Sequence, residues 1–319
     1  AMHWQALSAD IAAKVFTSQN MLLLALAFPV LKAVHELGHG LALDAAPIRF
    51  SSWMGGDRDG NPFVTAKVTR QVLLLSRWKA ADLFAHDLDI LGNELSMNPA
   101  NAALQAAVPG STEPYRDLLK VLRGKLLHTR DWLTEALKHD RLQRPDDLLW
   151  HNQQLLEPLL LCYHSLRDCK MDVIANGLLL DTIRRAYAFG LTLLKLDVRQ
   201  ESGRHTQVFS EFTQYLGIGD YAHWEEPARQ AFLLNELASK RPLFPKNWQP
   251  SAEVQEVLDT CDIVARHGIE ALSTYVISMA GKPSDVLAVQ LLLKEAGISF
   301  PMPVAPLFET LSDLQNAPD

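Results

Sequence analysis

The stretch LTLLKLDVRQESGRH, residues 191–205, decides the fold. Its first eight residues form a short apolar run, which is typical of a buried β-strand, and charged residues follow directly. Among them, Arg199 would leave the strand at its mouth, where a guanidinium can bind a phosphate or carboxylate through two parallel hydrogen bonds. The alternative is a buried Arg199 paired with Asp197 or Glu201. His205, near the expected helix start, is interpreted as a surface or capping residue.

Three further runs have the same strand-like character, namely IRFSSWMGG (48–56), STYVISMA (273–280) and MPVAPLF (302–308). The helical stretches between the runs, with apolar residues three and four apart, include residues 68–95, 113–138 and 283–297. Buried strands that alternate with helices indicate a parallel sheet. The sequence therefore predicts a strongly helix-rich α/β fold.

Composition excludes several classes of protein. The chain has 319 residues, of which 48% are hydrophobic and 21% charged, and its mean hydropathy is −0.02. These values exclude a disordered tail, a collagen-like repeat and a polytopic membrane protein. The net charge of −7 argues against a nucleic-acid-binding protein. Three scattered cysteines and no recognisable signal peptide predict a reducing, cytoplasmic location.

Charged residues follow three of the four predicted strands, in GGDRDGNP (55–62), DVRQES (197–202) and FET (308–310). Chemistry collects at the carboxyl ends of parallel strands. In the first of these ends, adjacent glycines allow a ligand or another backbone to approach closely, and Trp53 offers a flat apolar wall. A tight turn with a local Asp–Arg pair is the alternative. Glu309 could ligate a divalent ion or complement a helix dipole.

A second motif lies near the N-terminus, where HELGH (35–39) follows an apolar run over residues 21–34. On a helix, His35 and His39 share a face and can bind zinc, with Glu36 as general base. The run is shorter than the roughly 20 apolar residues that a membrane-spanning helix needs. A buried or interfacial helix is therefore the alternative, and membrane association is not expected.

From about residue 43 to the C-terminus, the chain resembles bacterial-type phosphoenolpyruvate carboxylase. The segments that carry the resemblance, in family order, are SSWMGGDRDGNPFVTAKVTR, LLLSRWKAADL, ANGLLLDTIRRAYAFGLTLLKLDVRQESGRHT, YLGIGDYAHW, SKRPLFPKNWQPS, STYVISMAGKPSDVLAVQLLLKEAGI and MPVAPLFETLSDL. Such long shared stretches are far more specific than any short motif.

The resemblance implies about four parallel strands of a (β/α)8 TIM-type barrel with long helical insertions. It also implies a homotetrameric enzyme that joins bicarbonate to phosphoenolpyruvate with the help of Mg²⁺ or Mn²⁺. The products would be phosphate and oxaloacetate, which supplies the tricarboxylic acid cycle. The family's TAHPTE-like segment and GRGGS loop do not occur in these 319 residues.

The resemblance also assigns site residues. Arg199 matches the strand-end arginine that holds the substrate phosphate, and Glu309 matches one of two metal-binding carboxylates. Trp53 and the GGDRDGN loop match the bicarbonate side of the site. The implied set is Arg199, Trp53 and Arg58 for catalysis, Arg199, Gly55, Gly56 and Asp57 for substrate binding, and Glu309 for the metal.

Residues 1–42 are expected to form a separate helical segment, followed by the carboxylase-like domain over residues 43–319. The segment resembles the zinc-ligand helix of M50-like metalloproteases. An alternative function is therefore a membrane-associated zinc peptidase that uses His35, Glu36 and His39. A third possibility is a non-catalytic chain that binds phosphoenolpyruvate or a full-length subunit.

Overall fold

A computed structural model describes residues 42–46, 49–139 and 143–316 of the chain. The described residues divide into two compact units. The first, called the sheet unit, consists of the described residues within 50–76 and 192–319. The second, called the helical unit, consists of the described residues within 77–191 and of those that precede residue 50. The predicted segment over residues 1–42, with His35, Glu36 and His39, lies outside the described residues except for its last position.

The sheet unit is built on four parallel strands in the order β1-β2-β3-β4. They are β1 (Ser51–Ser52), β2 (Lys195–Glu201), β3 (Leu272–Ser278) and β4 (Val304–Pro306). In register, Arg199 lies opposite Val276, and Tyr275 lies opposite Val304. A helix-rich α/β fold with a parallel four-stranded sheet is thereby confirmed.

The helices occupy most of the remaining chain. They are α1 (Ala66–Glu94), α2 (Ala102–Ala107), α3 (Pro114–Lys138), α4 (Asn152–Asp168), α5 (Asp172–Ile174), α6 (Leu180–Phe189), α7 (Ser202–Tyr215), α8 (Glu226–Ala238), α9 (Ala252–His267), α10 (Pro283–Glu295) and α11 (Leu311–Asn316). A π-helical turn spans Ala175–Leu179, and short 3-10 helices span Gly190–Thr192 and Tyr221–His223. Within the described ranges, no helix is both long and apolar enough to cross a membrane.

Alternation along β2 gives its two faces different surroundings. Leu196, Val198 and Gln200 are buried, whereas the side chains between them, including Arg199, are only half-buried. Successive side chains of a strand point to opposite faces, so one face of β2 contributes to the core and the other carries the polar groups. The core includes Val208, Phe209 and Phe212 from α7, Val257 and Cys261 from α9, and Val289 and Leu292 from α10.

The helical unit follows from the apolar spacing of its long helices. In α3, Leu119, Leu122, Leu126 and Leu133 are buried. Their intervals of three, four and seven residues place them on one side of the helix, which turns once every 3.6 residues. The predicted helix over residues 113–138 thus agrees with the structure to within one residue.

The bounds of the strands differ from those of the predicted runs, and the differences in β1 and β2 affect the position of Arg199. β1 has only two residues, because the Trp53 carbonyl accepts hydrogen bonds from the amides of Gly56 and Asp57 and turns the chain. β2 continues to Glu201, and α7 begins at the next residue. Arg199 therefore lies inside the strand and not beyond its end.

Candidate functional site

Three carboxylates surround the Arg199 side chain on the half-buried face of the sheet. Arg199 Nη2 donates to Asp59 Oδ2 at 2.8 Å and to Glu309 Oε1 at 3.2 Å. Asp57 Oδ1 lies 3.7 Å from Nε, which is an ion pair without a hydrogen bond. The structure thus brings the loop after β1 and the segment after β4 to the same guanidinium.

These partners replace those that the sequence suggested for a buried arginine. Neither Asp197 nor Glu201 forms an ion pair with Arg199 among the described residues. Each lies two positions away along β2, which corresponds to about 6.6 Å of strand rise. The Arg199 side chain is 28% exposed and pairs with other carboxylates, so the alternative of a buried Arg199 paired with Asp197 or Glu201 is wrong.

The loop after β1 pairs with β2 through backbone hydrogen bonds of the kind that join parallel strands. Asp57 forms an isolated parallel bridge with Arg199. The Arg199 amide donates to the Gly56 carbonyl at 2.8 Å, and the Arg58 amide donates to the Arg199 carbonyl at 3.0 Å. Asp57 Oδ1 also accepts from the Asp59 amide at 3.0 Å, which orients the first carboxylate. The expected local Asp–Arg pair is therefore replaced by a pairing with β2.

Both glycines of this loop allow close approach of other parts of the chain. A Cβ on Gly56 would lie 2.0 Å from the Asp197 carbonyl oxygen, so only glycine fits against β2. Gly55 has φ +78°, and a Cβ there would lie 2.5 Å from Val72 Cγ2. Of the two uses expected for the glycine pair, approach of another backbone is the one observed at Gly56. Substrate contacts by Gly55, Gly56 and Asp57 stay a prediction.

Arg58, which the sequence placed among the catalytic residues, is buried. It is 7% exposed, and its Nη1 and Nη2 donate to the Gly56 carbonyl and to Thr69 Oγ1. Burial lowers the pKa of Arg58 below its ordinary value. Its guanidinium therefore faces the interior of the sheet unit and not the solvent beside Arg199.

Glu309 reaches Arg199 from a backbone that is fixed by the start of α11. The amides of Glu309 and Thr310 donate to Asp313 Oδ2 at 3.0 and 2.8 Å. These backbone hydrogen bonds and that of the Thr310 hydroxyl lower the pKa of Asp313. The Glu309 carboxylate itself is 43% exposed and binds a cation, here the Arg199 guanidinium.

Trp53 stands apart from this cluster in its contacts. Its side chain is 69% exposed, and Met54 beside it is 39% exposed. Large apolar side chains so open to solvent are free to contact a ligand or another protein surface. The role predicted for Trp53 stays a prediction.

His205 is the clearest departure from the sequence expectation. It is 1% exposed, and its Nε2 lies 2.9 Å from the Tyr275 hydroxyl. Burial lowers the pKa of His205 to about 3 and raises that of Tyr275 well above its usual value. The interpretation of His205 as a surface or capping residue is therefore wrong, because the side chain lies in the core of the sheet unit.

Sequence reasoning missed two groups that the structure connects to the site. Asp59 makes the shortest contact with Arg199, and the Thr69 hydroxyl receives Arg58 and donates to the Gly55 carbonyl at 2.7 Å. The alternating Asp-Arg-Asp pattern was a signal for Asp59. No local signal marks Thr69 as part of the site, because Arg58 and Gly55 lie more than ten residues earlier in the chain.

Metal binding can be judged from the donor atoms that are present. Across residues 42–46, 49–139 and 143–316, no group of three or more His, Cys, Asp and Glu side chains is arranged to hold a metal ion. Glu309 offers one partly exposed carboxylate, a hard oxygen donor of the kind that Mg²⁺ prefers. In proteins, Mg²⁺ is commonly bound by one or two carboxylates, and substrate phosphate and water supply the remaining ligands.

Fold and site together define an α/β protein with a charged site at the carboxyl ends of its parallel strands. The family model described as phosphoenolpyruvate carboxylase matches residues 25–319. The chain therefore belongs to the phosphoenolpyruvate carboxylase family. This membership favours the carboxylase interpretation over the zinc peptidase. The match begins upstream of residue 43, and the predicted boundary between residues 42 and 43 stays a prediction.

Curated relatives agree with the family. A phosphoenolpyruvate carboxylase of Escherichia coli O81 (strain ED1a) is 60% identical over 286 residues, which are 89% of this chain and 32% of the relative. Those of Escherichia fergusonii and Salmonella arizonae are 60% and 59% identical over the same coverage. The chain thus spans about a third of the length of the curated relatives it matches.

Proposed function

We propose that this chain carries part of the substrate site of a phosphoenolpyruvate carboxylase, with Arg199 binding the substrate phosphate. The observation that carries the proposal is the position of Arg199 at the carboxyl end of β2, in a chain 60% identical to such enzymes over 286 residues. The reaction would join bicarbonate to phosphoenolpyruvate and give oxaloacetate and phosphate. On this proposal the four strands form part of a (β/α)8 barrel.

The donors of Arg199 support phosphate binding. Both carboxylate hydrogen bonds go to Nη2, which leaves Nη1 without a hydrogen-bond acceptor among the described residues. Both hydrogens of Nη1 thus stay available as charge-assisted donors to the oxygens of a phosphate. Asp59 and Glu309 hold the guanidinium in place, so that little side-chain freedom is lost when the phosphate binds.

The charge balance supports a divalent cation as cofactor. One guanidinium faces three carboxylates, and the excess of negative charge opposes the approach of an anionic substrate. Glu309 would hold Mg²⁺ or Mn²⁺ through its partly exposed oxygen. When bound, the ion supplies positive charge that stabilises the enolate and the transferring phosphate. Trp53 would then cover the bicarbonate side of the site.

Calorimetric titration of phosphoenolpyruvate into the purified chain, with Mg²⁺ present, tests the proposal. Arg199→Gln removes the proposed phosphate contact, whereas Arg204→Gln removes an exposed arginine of α7 as a matched control. We expect Arg199→Gln to weaken binding at least about tenfold, because hydrogen bonds to charged groups are lost. Arg204→Gln should leave the affinity unchanged.

Two results would contradict the proposal: no binding by the unmodified chain, or equal affinity in Arg199→Gln. Oxaloacetate formation, measured on the same samples with bicarbonate added, separates a catalytic chain from one that only binds. Turnover that disappears in Arg199→Gln supports catalysis by this chain. Binding without turnover supports the non-catalytic alternative. A homotetramer, drawn from the family resemblance, and a cytoplasmic location, drawn from the scattered cysteines, are further parts of the proposal.

A further inference from the structure

Arg58 is a buried charge whose hydrogen-bond partners are neutral. Its Nη1 donates to the Gly56 carbonyl at 3.0 Å, and its Nη2 donates to the Thr69 hydroxyl. Its Nε has no hydrogen-bond partner, and no carboxylate of the described residues forms an ion pair with the guanidinium. Burial lowers the pKa of Arg58 below its ordinary value and thereby outweighs the attraction of Glu256 and Asp57 for this charge. Burial of a charge that no ion pair compensates costs free energy. Packing alone would therefore be served better by an apolar side chain of similar length.

The groups that Arg58 holds lead directly to Arg199. The Gly56 carbonyl accepts from Arg58 Nη1 and also from the Arg199 amide at 2.8 Å. The Arg58 amide donates to the Arg199 carbonyl at 3.0 Å. Thr69, which receives Nη2, donates in turn to the Gly55 carbonyl at 2.7 Å. One guanidinium thus fixes both glycine carbonyls and, through them, the register of the loop on β2.

This register decides where the two aspartates stand. Asp57 and Asp59 flank Arg58 in the chain, and their carboxylates lie 3.7 and 2.8 Å from the Arg199 guanidinium. Asp57 and Arg199 are bridge partners, so their side chains lie on the same side of the sheet. Arg58, the next residue, is buried, and Asp59 lies in the turn that follows, with its carboxylate against Arg199.

We propose that Arg58 is a positioning residue, whose buried guanidinium locks the loop so that Asp57 and Asp59 orient Arg199. Arg58 does not touch the substrate. It acts through the Gly56 carbonyl and Thr69. The proposal rests on the proposed function for the identity of the ligand that Arg199 binds. The orientation of Arg199 does not depend on that ligand and can be measured without any substrate.

The test is the rate at which phenylglyoxal, an arginine-selective dicarbonyl, modifies Arg199, followed by peptide mass spectrometry. Arg58→Met removes the charge and both hydrogen bonds at similar length. We expect modification of Arg199 to accelerate about fivefold, the equivalent of one lost hydrogen bond, relative to the exposed Arg204 in the same sample. Arg58→Lys, which keeps the charge and a single donor nitrogen, should give a smaller acceleration.

Arg77→Met is the matched control for a purely structural effect. Arg77 is also buried, at 3% exposure, and donates to the Trp150 carbonyl at 2.8 Å, but it belongs to the helical unit. We expect it to lower the melting temperature without changing the modification of Arg199. Thr69→Val, which replaces only the hydroxyl, is the second test variant if Arg58→Met does not fold. It should also accelerate the modification of Arg199.

Unchanged modification of Arg199 in the folded Arg58→Met or Thr69→Val chain would overturn the proposal, as would an equal acceleration in Arg77→Met. Phosphoenolpyruvate affinity is measured on the same variants. If the unmodified chain binds no phosphoenolpyruvate while Arg58→Met still accelerates modification, the proposed function fails and the positioning role stands.

Discussion

At the scale of single residues, His205 shows a polar side chain placed by its neighbours along a helix. His205, Val208, Phe209 and Phe212 are all buried in α7. Their spacing of three, four and seven residues defines one helix face. The apolar periodicity downstream of His205 therefore indicates that His205 is buried, although charged residues stand just before it in the sequence.

The burial of His205 predicts a pH dependence of stability. Its folded-state pKa of about 3 lies below the ordinary value of about 6.5 for an unfolded histidine. Between these values the unfolded chain binds the additional proton, so this contribution to stability is complete above pH 6.5 and is lost as the pH falls toward 3. From pH 7 to pH 5 the free energy of unfolding should fall by about 2 kcal/mol through this group.

Urea unfolding of the chain and of His205→Gln at both pH values measures this contribution. The variant should lose less stability between pH 7 and pH 5 than the unmodified chain does. His223→Gln is the matched control, since His223 is 83% exposed in the same unit. An identical pH dependence in the chain and in His205→Gln would show that His205 is not buried as a neutral group.

At the scale of elements, α11 determines how the Glu309 backbone is held. Asp313 Oδ2 accepts from two amides that precede the helix, and the Asp313 amide donates to Thr310 Oγ1 at 3.1 Å. This reciprocal arrangement is a capping box, in which side chains satisfy the free amides at a helix start. The element therefore fixes one side of the cluster around Arg199.

Asp313→Ala should destabilise the first turn of α11. The loss of a capping side chain costs roughly 1 kcal/mol, which corresponds to about fivefold faster hydrogen exchange at Glu309 and Thr310. Hydrogen–deuterium exchange of the peptide that contains these amides is the measurement. Asp262→Ala, which removes an exposed partner of Arg266 on α9, should leave this peptide unchanged. Equal exchange in both variants would mean that the cap does not hold the Glu309 backbone.

Element by element, the sequence predicted the fold better than the site. Each of the four strand-like runs overlaps a strand of the parallel sheet, because short apolar runs bounded by charged or small residues are a local property. The contact between Asp59 and Arg199 depends on chain segments 140 positions apart. No periodicity encodes such a contact. Only the structure shows this contact, which follows from the bridge between Asp57 and Arg199.

At the scale of the whole molecule, each compact unit contains its own buried apolar residues. Phe209 is fully buried in the sheet unit, and Leu126 is fully buried in the helical unit. Removing a large core side chain costs roughly 2–5 kcal/mol, through lost burial and the cavity that remains. Cooperative regions of a protein open with separate free energies when their contacts are mostly internal.

Phe209→Ala should therefore lower hydrogen-exchange protection in β2 and β3 more than in α3. Leu126→Ala should do the opposite, and it serves as the matched control. Exchange followed by mass spectrometry reads both regions in one sample. A uniform loss of protection in both regions, for either variant, would mean that the chain opens as a single cooperative unit.

The pairing of β1 with β2 also sets the order of events during synthesis. Ser51 pairs with Lys195, so residues 77–191 of the helical unit lie between the two strands in the chain. At ordinary rates of translation, roughly 5–20 residues per second, β1 waits on the order of 10 s for its neighbour to emerge from the ribosome. Non-local pairings of this kind also slow folding in vitro. The loop that orients Arg199 is thus completed only after residues 77–191 have been synthesised.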